Sequence, residues 1–356
     1  MPRNSKKVIP PTKKERIVIA VKKPFVAINK RTTTYLNRRA HRSFRLTKRR
    51  DYKRSLQLPG YFSFTLSVNR TLWRYRKTFI PLWIVYAVLT IIFIGIGSQD
   101  AYSTLSNLLK DTGSQIFQGN IGQIGQASLI LLSIGTTGLT TSPTDGQKIY
   151  GVILGLLIWL TTVWLLRNLL AGHKVKMRDG LYSAGSPIIS TVLVVTIMVL
   201  QLIPVSIAVI GFSAANSAGV LNGGVSAMLF WIAAGLLSVT SLYWITSTFF
   251  ALIIVTLPGM YPRKALRTAG DMVASRRVRI LLRILWMFLT IVITAVVVLI
   301  PVIMIDSGLT NILPGIINVP IVPVALMLFT EVIFIWAASY IYLLYRRVVD
   351  DDAKPA

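Results

Sequence analysis

The chain has 356 residues, of which 53% are hydrophobic and 14% charged, and 39 Lys and Arg against 12 Asp and Glu give a formal charge of +27. Soluble domains carry roughly a quarter charged residues, so this composition argues against a water-soluble domain and points to a membrane protein. With no cysteine in the chain, disulfides, thiolate metal sites and a cysteine nucleophile are excluded.

Residues 1–57 read as a basic, largely disordered cytoplasmic tail. Over residues 1–77 there are 23 Lys or Arg against Glu15 and Asp51. Blocks such as Arg38-Arg39 with His41-Arg42, and Lys48-Arg49-Arg50, have few apolar anchors between them. Such a segment orders only on a polyanion. Anionic phospholipid is the first partner expected, at about 1 kcal/mol per cation near the surface. Ribosomal RNA and an acidic protein are the others; Tyr35, Phe44 and Tyr52 are too sparse for an RNA stacking platform. No short n-region with a cleavage site precedes the first apolar run, so that run reads as an uncleaved signal-anchor.

In residues 58–77, Phe62, Phe64, Leu66, Val68, Leu72 and Trp73 are mixed with Arg70, Arg74, Arg76 and Lys77. This predicts an amphipathic elbow helix on the cytoplasmic surface, with Trp73 and Tyr75 at headgroup depth.

Six spans follow in residues 78–347, at about 79–96, 149–170, 187–212, 227–256, 280–305 and 321–345, each long enough to cross the hydrocarbon core. A kink is expected at Pro204. The basic flank of the first span places the amino terminus in the cytoplasm. Of 39 Lys and Arg, only Lys110 and Lys148 then fall outside, and the loop 171–186 is basic and inside. Residues 127–139 are a largely apolar stretch of thirteen, too few for a span. A crossing there would also put Arg167, Lys174, Lys176 and Arg178 outside. The piece therefore reads as an external half-helix, re-entrant or interfacial. The chain ends in an acidic cytoplasmic tail, 348–356, with Asp350, Asp351 and Asp352.

Between the fourth and fifth spans lies a cytoplasmic elbow, 257–279. Pro258, Gly259 and Pro262 break the preceding helix. Ala265, Leu266, Ala269, Met272 and Val273 then form one apolar stripe at helical spacing, and Arg263, Lys264, Arg267, Arg276, Arg277 and Arg279 supply the charge. The expectation is a helix in the interface, apolar side in the acyl boundary and cations at lipid phosphates. Its role is either a surface connector or a docking helix for a cytoplasmic partner. The run Ala265-Leu266-x-x-Ala269-x-x-Met272-x-x-Ser275-Arg276 resembles a pattern in the YciC-like bacterial membrane proteins and the membrane domains attached to glycerophosphodiester phosphodiesterases. Ala269 stands where Ser is usual there, and Ser275 where Gly is usual. The resemblance covers the elbow and loosely the six-span layout. It implies a membrane domain without known catalysis, and the chain carries no phosphodiesterase domain.

Glu331 is the one carboxylate well inside a span. An acid at that depth costs roughly 2.5–3.5 kcal/mol on insertion scales, so it must be protonated, paired or facing a polar cavity. Ser238, Thr240, Ser241, Tyr243, Thr246, Ser247 and Thr248 in the fourth span are the partners expected from sequence. A structural hydrogen bond and a proton- or ion-coupling role both remain open. After the half-helix, Thr136, Thr137, Gly138, Thr140 and Thr141 resemble the pore-helix-and-filter layout of potassium channels and Trk-like transporters, but the core TVGYG is absent and one loop per chain would require a homo-oligomer. The six spans and the elbow before the first also resemble ABC-2-type exporter membrane domains, which implies a separate ATPase partner.

No catalytic residue, metal site or cofactor is expected. His41 and His173 lack ligand spacing, and no G-x-x-x-x-G-K-[ST] loop occurs. The reading is an all-α polytopic protein of the bacterial inner membrane with both termini cytoplasmic. It is expected to be a non-enzymatic membrane-domain scaffold or partner protein, with transport as the alternative.

Overall fold

The computed structural model describes residues 58–95, 144–219, 221, 223–274, 276–312 and 320–352. The basic tail, the half-helix at 127–139 and the last residues of the acidic tail lie outside the described residues. Among the described residues there are ten helices and no strand. They are α1 Tyr61–Arg74, α2 Arg76–Phe93, α3 Asp145–Leu170, α4 Met177–Ala184, α5 Ile188–Gln201, α6 Ile203–Ser217, α7 Gly224–Ile254, α8 Pro262–Val273, α9 Arg277–Ile312 and α10 Ile321–Asp352.

Five of these, α2, α3, α7, α9 and α10, are long and apolar enough to cross a membrane. The number rises to six if α4 and α5, which meet at 71°, count as one broken span. Local signals set the ends. Thr144 caps α3, accepting from the Gln147 N–H while the Gln147 side chain accepts from the Thr144 N–H. Pro262 opens α8 at its first turn, where no backbone donor is needed. Gly259 turns the chain between α7 and α8 with φ +72, a region side chains avoid.

The segment expected as the third span is two helices, α5 and α6, laid end to end. The break falls at Leu202, because Pro204 has no N–H to bond the carbonyl four residues back. Both pieces follow α7 in antiparallel register. The Thr248 hydroxyl donates to Gln201 at 2.6 Å, the Val205 N–H donates to Ser241 at 3.2 Å, and Phe212 packs on Phe230 and Trp231 at 6.5 and 5.9 Å. As one number rises the other falls, so α5 and α6 together cover the length of α7. The basic loop expected at 171–186 contains a helix of its own, α4, whose Gly180 packs tightly on Leu165.

α10 is the hub of one half, packed on α3, α9, α1 and α2; α7 is the hub of the other, packed on α8, α6 and α5, and the hubs touch. The core sits toward one end. The buried residues of α7 run from Ser241 to Ile254. Those of α9 are Ile280, Arg283, Ile284 and Met287, and most of those of α10 run from Ile335 to Val348. This end carries Arg277, Arg279, Arg346 and Arg347. Toward the other end, Val292, Val296, Val297, Ile300 and Met304 of α9 are exposed. An apolar helix face left exposed among the described residues suits hydrocarbon better than water.

The elbow departs from expectation. Ala265, Ala269 and Val273 are each 0% exposed, and α8 packs along α7 and against α5. Its apolar stripe faces protein, not acyl chains. The reason is side-chain size: two alanines four apart let the α8 backbone approach α7 closely, a fit worth more than the small area they would bury in lipid.

Candidate functional site

α2 runs between α3 and α10 and bonds to both from one side of its surface. Trp83 donates its indole N–H to the Leu328 carbonyl at 3.0 Å. One turn on, the Tyr86 hydroxyl shares a 2.8 Å hydrogen bond with Thr161 of α3. Another turn on, Thr90 Oγ1 donates to Glu331 Oε1 of α10 at 2.6 Å. Positions 83, 86 and 90 share a face because residues three and four apart are helix neighbours.

The pocket of polar groups is closed. Glu331 is 6% exposed, Thr90 7%, and Tyr86, Thr161 and Thr162 are each 0%. Glu331 Oε2 and Thr162 Oγ1 are buried with no hydrogen-bond partner among the described residues. Polar groups deep between helices hold them together when they find each other, and each one left alone is a cost.

The partner of Glu331 corrects the sequence expectation. It comes from the first span, not the fourth. In α7, Ser238, Thr240, Thr246 and Ser247 bond carbonyls of their own helix three or four residues back. Ser241 and Thr248 serve the α5–α6 rod. Tyr243 lies under the Arg277 guanidinium, 3.9 Å from the ring centre. The sequence did hold a signal for the true partner: Thr78, Tyr86 and Thr90 are the only hydroxyls of α2, and two of them share a face.

The cations at the basic end divide into three groups. Arg263, Lys264, Arg267 and Arg279 are exposed, as are Arg70, Arg74, Arg76 and Lys77. Arg74 and Arg76 lie 5.8 and 5.0 Å from the rings of Tyr75 and Trp73. Arg277 is engaged with Tyr243, donating also to its carbonyl at 3.0 Å. Arg276 is turned inward at 3% exposure, with Nε donating to the Met272 carbonyl at 2.9 Å. It is therefore withdrawn from the expected lipid or partner surface, because it closes the α8–α9 corner.

Arg283 was not singled out by sequence reasoning. It is 6% exposed and sits 4.1 Å over the Tyr61 ring. It donates to the Pro59 carbonyl, and its own carbonyl accepts from Tyr340 at 3.2 Å. Around it α1 is clamped to α9 and α10. Trp286 donates to Thr65 at 3.1 Å, Trp336 donates to Asn69 at 2.7 Å, and Phe64 meets Tyr340 edge-on at 4.8 Å. The available signal was a lone cation inside the apolar run 280–305.

Thr136, Thr137, Gly138, Thr140 and Thr141 lie outside the described residues. Among the described residues, no cluster of three or more His, Cys, Asp or Glu could hold a metal ion. Compared with protein-family models, curated proteins and solved structures, the chain matches none.

Proposed function

We propose that the chain is a six-span integral membrane protein with both termini in the cytoplasm, acting without catalysis as a membrane-domain scaffold or partner protein. The observation that carries this reading is the closure of the Glu331 cluster. A carboxylate that moves ions needs a polar path, and this one is enclosed by side chains with its Oε1 held by Thr90. Glu331 then works as a latch joining α10 to α2.

In this reading α5 and α6 together make the third span, and the end rich in arginine is cytoplasmic by the positive-inside bias. The exposed cations Arg263, Lys264 and Arg267 of α8, with Arg70, Arg74, Arg76 and Lys77 near α1, form a rim for anionic phospholipid and for an acidic surface of a partner. The resemblance of the elbow to YciC-like membrane domains agrees with a role of this kind.

The test is purification from membranes in mild detergent with mass spectrometry of what accompanies the chain. Anionic phospholipid without a stoichiometric ATPase is the expected result. A stoichiometric ATPase would replace the reading with a permease subunit and make α8 its docking helix.

A second reading, coupled transport, is favoured by Glu331 Oε2, which has no hydrogen-bond partner among the described residues. Glu331→Gln separates the two. On the latch reading it leaves proton and ion flux in liposomes at the wild-type level and lowers only thermal stability.

A further inference from the structure

Where α3 ends, the α4–α5 corner and the α7–α8 corner come together around a cavity of about 370 Å³. That is within the range of small-molecule clefts, roughly 300–1,000 Å³. None of its lining residues is an Asp or Glu. Its cation is Arg167, which is also the last basic residue of α3. One Arg167 N–H donates to the Thr256 carbonyl at 3.0 Å, which fixes the side chain across the cavity. A guanidinium has five N–H donors, so others remain to be used.

Three serines line the same cavity: Ser183 on α4, Ser186 at the corner and Ser190 in the first turn of α5. Other hydroxyls of α5 bond carbonyls one turn back, as Thr191 and Thr196 do. None of the three serine hydroxyls makes a hydrogen bond within the described residues. A fixed guanidinium, three open hydroxyl donors and no competing carboxylate make a site for an oxyanion, and for phosphate above all, which accepts several charge-assisted bonds at once.

The walls narrow the ligand further. Trp164 and Leu160 lie one and two turns back along α3 from Arg167, away from the basic end. The cavity is therefore polar where it opens at Arg167 and the serines, with the Trp164 ring on the side toward the span. That polarity matches an amphiphile with its phosphate at the surface and its acyl start against the helices.

We propose that this cavity binds the phosphate group of an anionic membrane lipid, held by Arg167 with Ser183, Ser186 and Ser190. The proposal rests on the membrane-spanning reading above, and it adds a discrete one-lipid site to the diffuse cationic rim.

The test is native mass spectrometry of the full chain in detergent, titrated with phosphatidylglycerol, with diacylglycerol as the phosphate-free control and inorganic phosphate as competitor. The expected result is saturable binding of one phosphatidylglycerol and no comparable binding of diacylglycerol. Arg167→Gln should weaken it at least about tenfold, the loss expected of a charge-assisted contact. Because Arg167 also braces Thr256, a second variant is needed: Ser190→Leu fills the cavity, leaves Arg167 in place, and should weaken binding as strongly. The triple variant Arg263→Gln, Lys264→Gln, Arg267→Gln strips the rim and should lower diffuse lipid association while the saturable one-lipid step persists.

Wild-type binding in both cavity variants would overturn the site, as would equal binding of diacylglycerol. Inorganic phosphate competing as tightly as the lipid would overturn the lipid as the source and leave a free-phosphate pocket. Loss confined to the triple variant would overturn the cavity while leaving the rim reading intact. Extraction of the chain from membranes by alkaline carbonate would instead remove the spanning reading itself.

Discussion

α1 and α8 are both short, amphipathic and basic, and both sit at the arginine-rich end, yet they are not alike. α8 has one apolar stripe, and its centre is covered by protein: Ala265, Ala269 and Val273 are 0% exposed, with Leu266 and Met272 half-buried beside them. Its outward side is Arg263, Lys264 and Arg267. α1 has two apolar faces. Phe64 and Val68 are buried on the bundle, while Phe62, Leu66 and Trp73 are 73%, 61% and 68% exposed. Those three fall at i, i+4 and i+11, a second face at helical spacing. A hydrophobic stripe therefore does not by itself say what it meets. α8 uses the centre of its stripe to dock on α7 and turns mainly charge outward. α1 docks with one face and leaves a second apolar face exposed.

That contrast breaks most readily at the docking faces. Phe64→Ala should have the largest effect, about 3–5 kcal/mol, because it empties a contact that joins α1 to Tyr340. Melting in detergent should fall by many degrees, and Trp286 and Trp336 should lose the Thr65 and Asn69 bonds that α1 brings to them. Ala269→Leu comes next, at about 1–3 kcal/mol, because a larger side chain at 0% exposure forces α8 off α7. If Ala269→Leu melts like wild type, α8 is not docked by its alanines and the contrast with α1 collapses.

Much of this was readable in the chain. The apolar runs, the break near Pro204 and the basic elbows follow from local composition and from what Pro and Gly do to a backbone. What sequence alone misplaced is which surface meets which. The stripe on α8 was assigned to acyl chains, although Ala265 and Ala269, small and four apart, were already a helix-packing signal. Glu331 was given seven partners in the fourth span, because that span is rich in hydroxyls. The bond went instead to Thr90, since adjacency of helices is decided by the whole packing and not by the richest neighbour. Arg283 stood out as a lone cation in an apolar run, but its role needed the position of α1, which no spacing within residues 280–305 contains.

The outward faces differ more gently, and a chain without cysteine allows a clean comparison. Leu66→Cys and Arg267→Cys each introduce a single thiol at an exposed position, one on each helix. If the second face of α1 lies in the acyl boundary, a membrane-impermeant maleimide applied to the cytoplasmic side of vesicles should label Arg267→Cys several-fold faster than Leu66→Cys. Detergent should close the gap, because it removes the bilayer but not the fold. Equal labelling in vesicles would place Leu66 in water and leave α1 with an exposed apolar face that lipid does not explain.

The smallest effect belongs to the charges of α8. With Ala265, Ala269 and Val273 all buried on protein, α8 should contribute to lipid selection chiefly electrostatically. Arg263→Gln, Lys264→Gln and Arg267→Gln together should lower the enrichment of phosphatidylglycerol over phosphatidylcholine around the protein in nanodiscs, by about 1 kcal/mol per cation at low salt. The difference should shrink as salt rises, since screening shortens the reach of a surface charge to roughly 10 Å at 0.1 M. The α1 pair Leu66→Gln with Trp73→Gln should behave oppositely, with a lipid contact that salt leaves unchanged, because apolar burial is not screened. A triple charge variant whose lipid enrichment matched wild type at low salt would detach α8 from lipid altogether. Its cations would then face a protein partner instead, and the two elbows would differ in what they meet as well as in how they meet it.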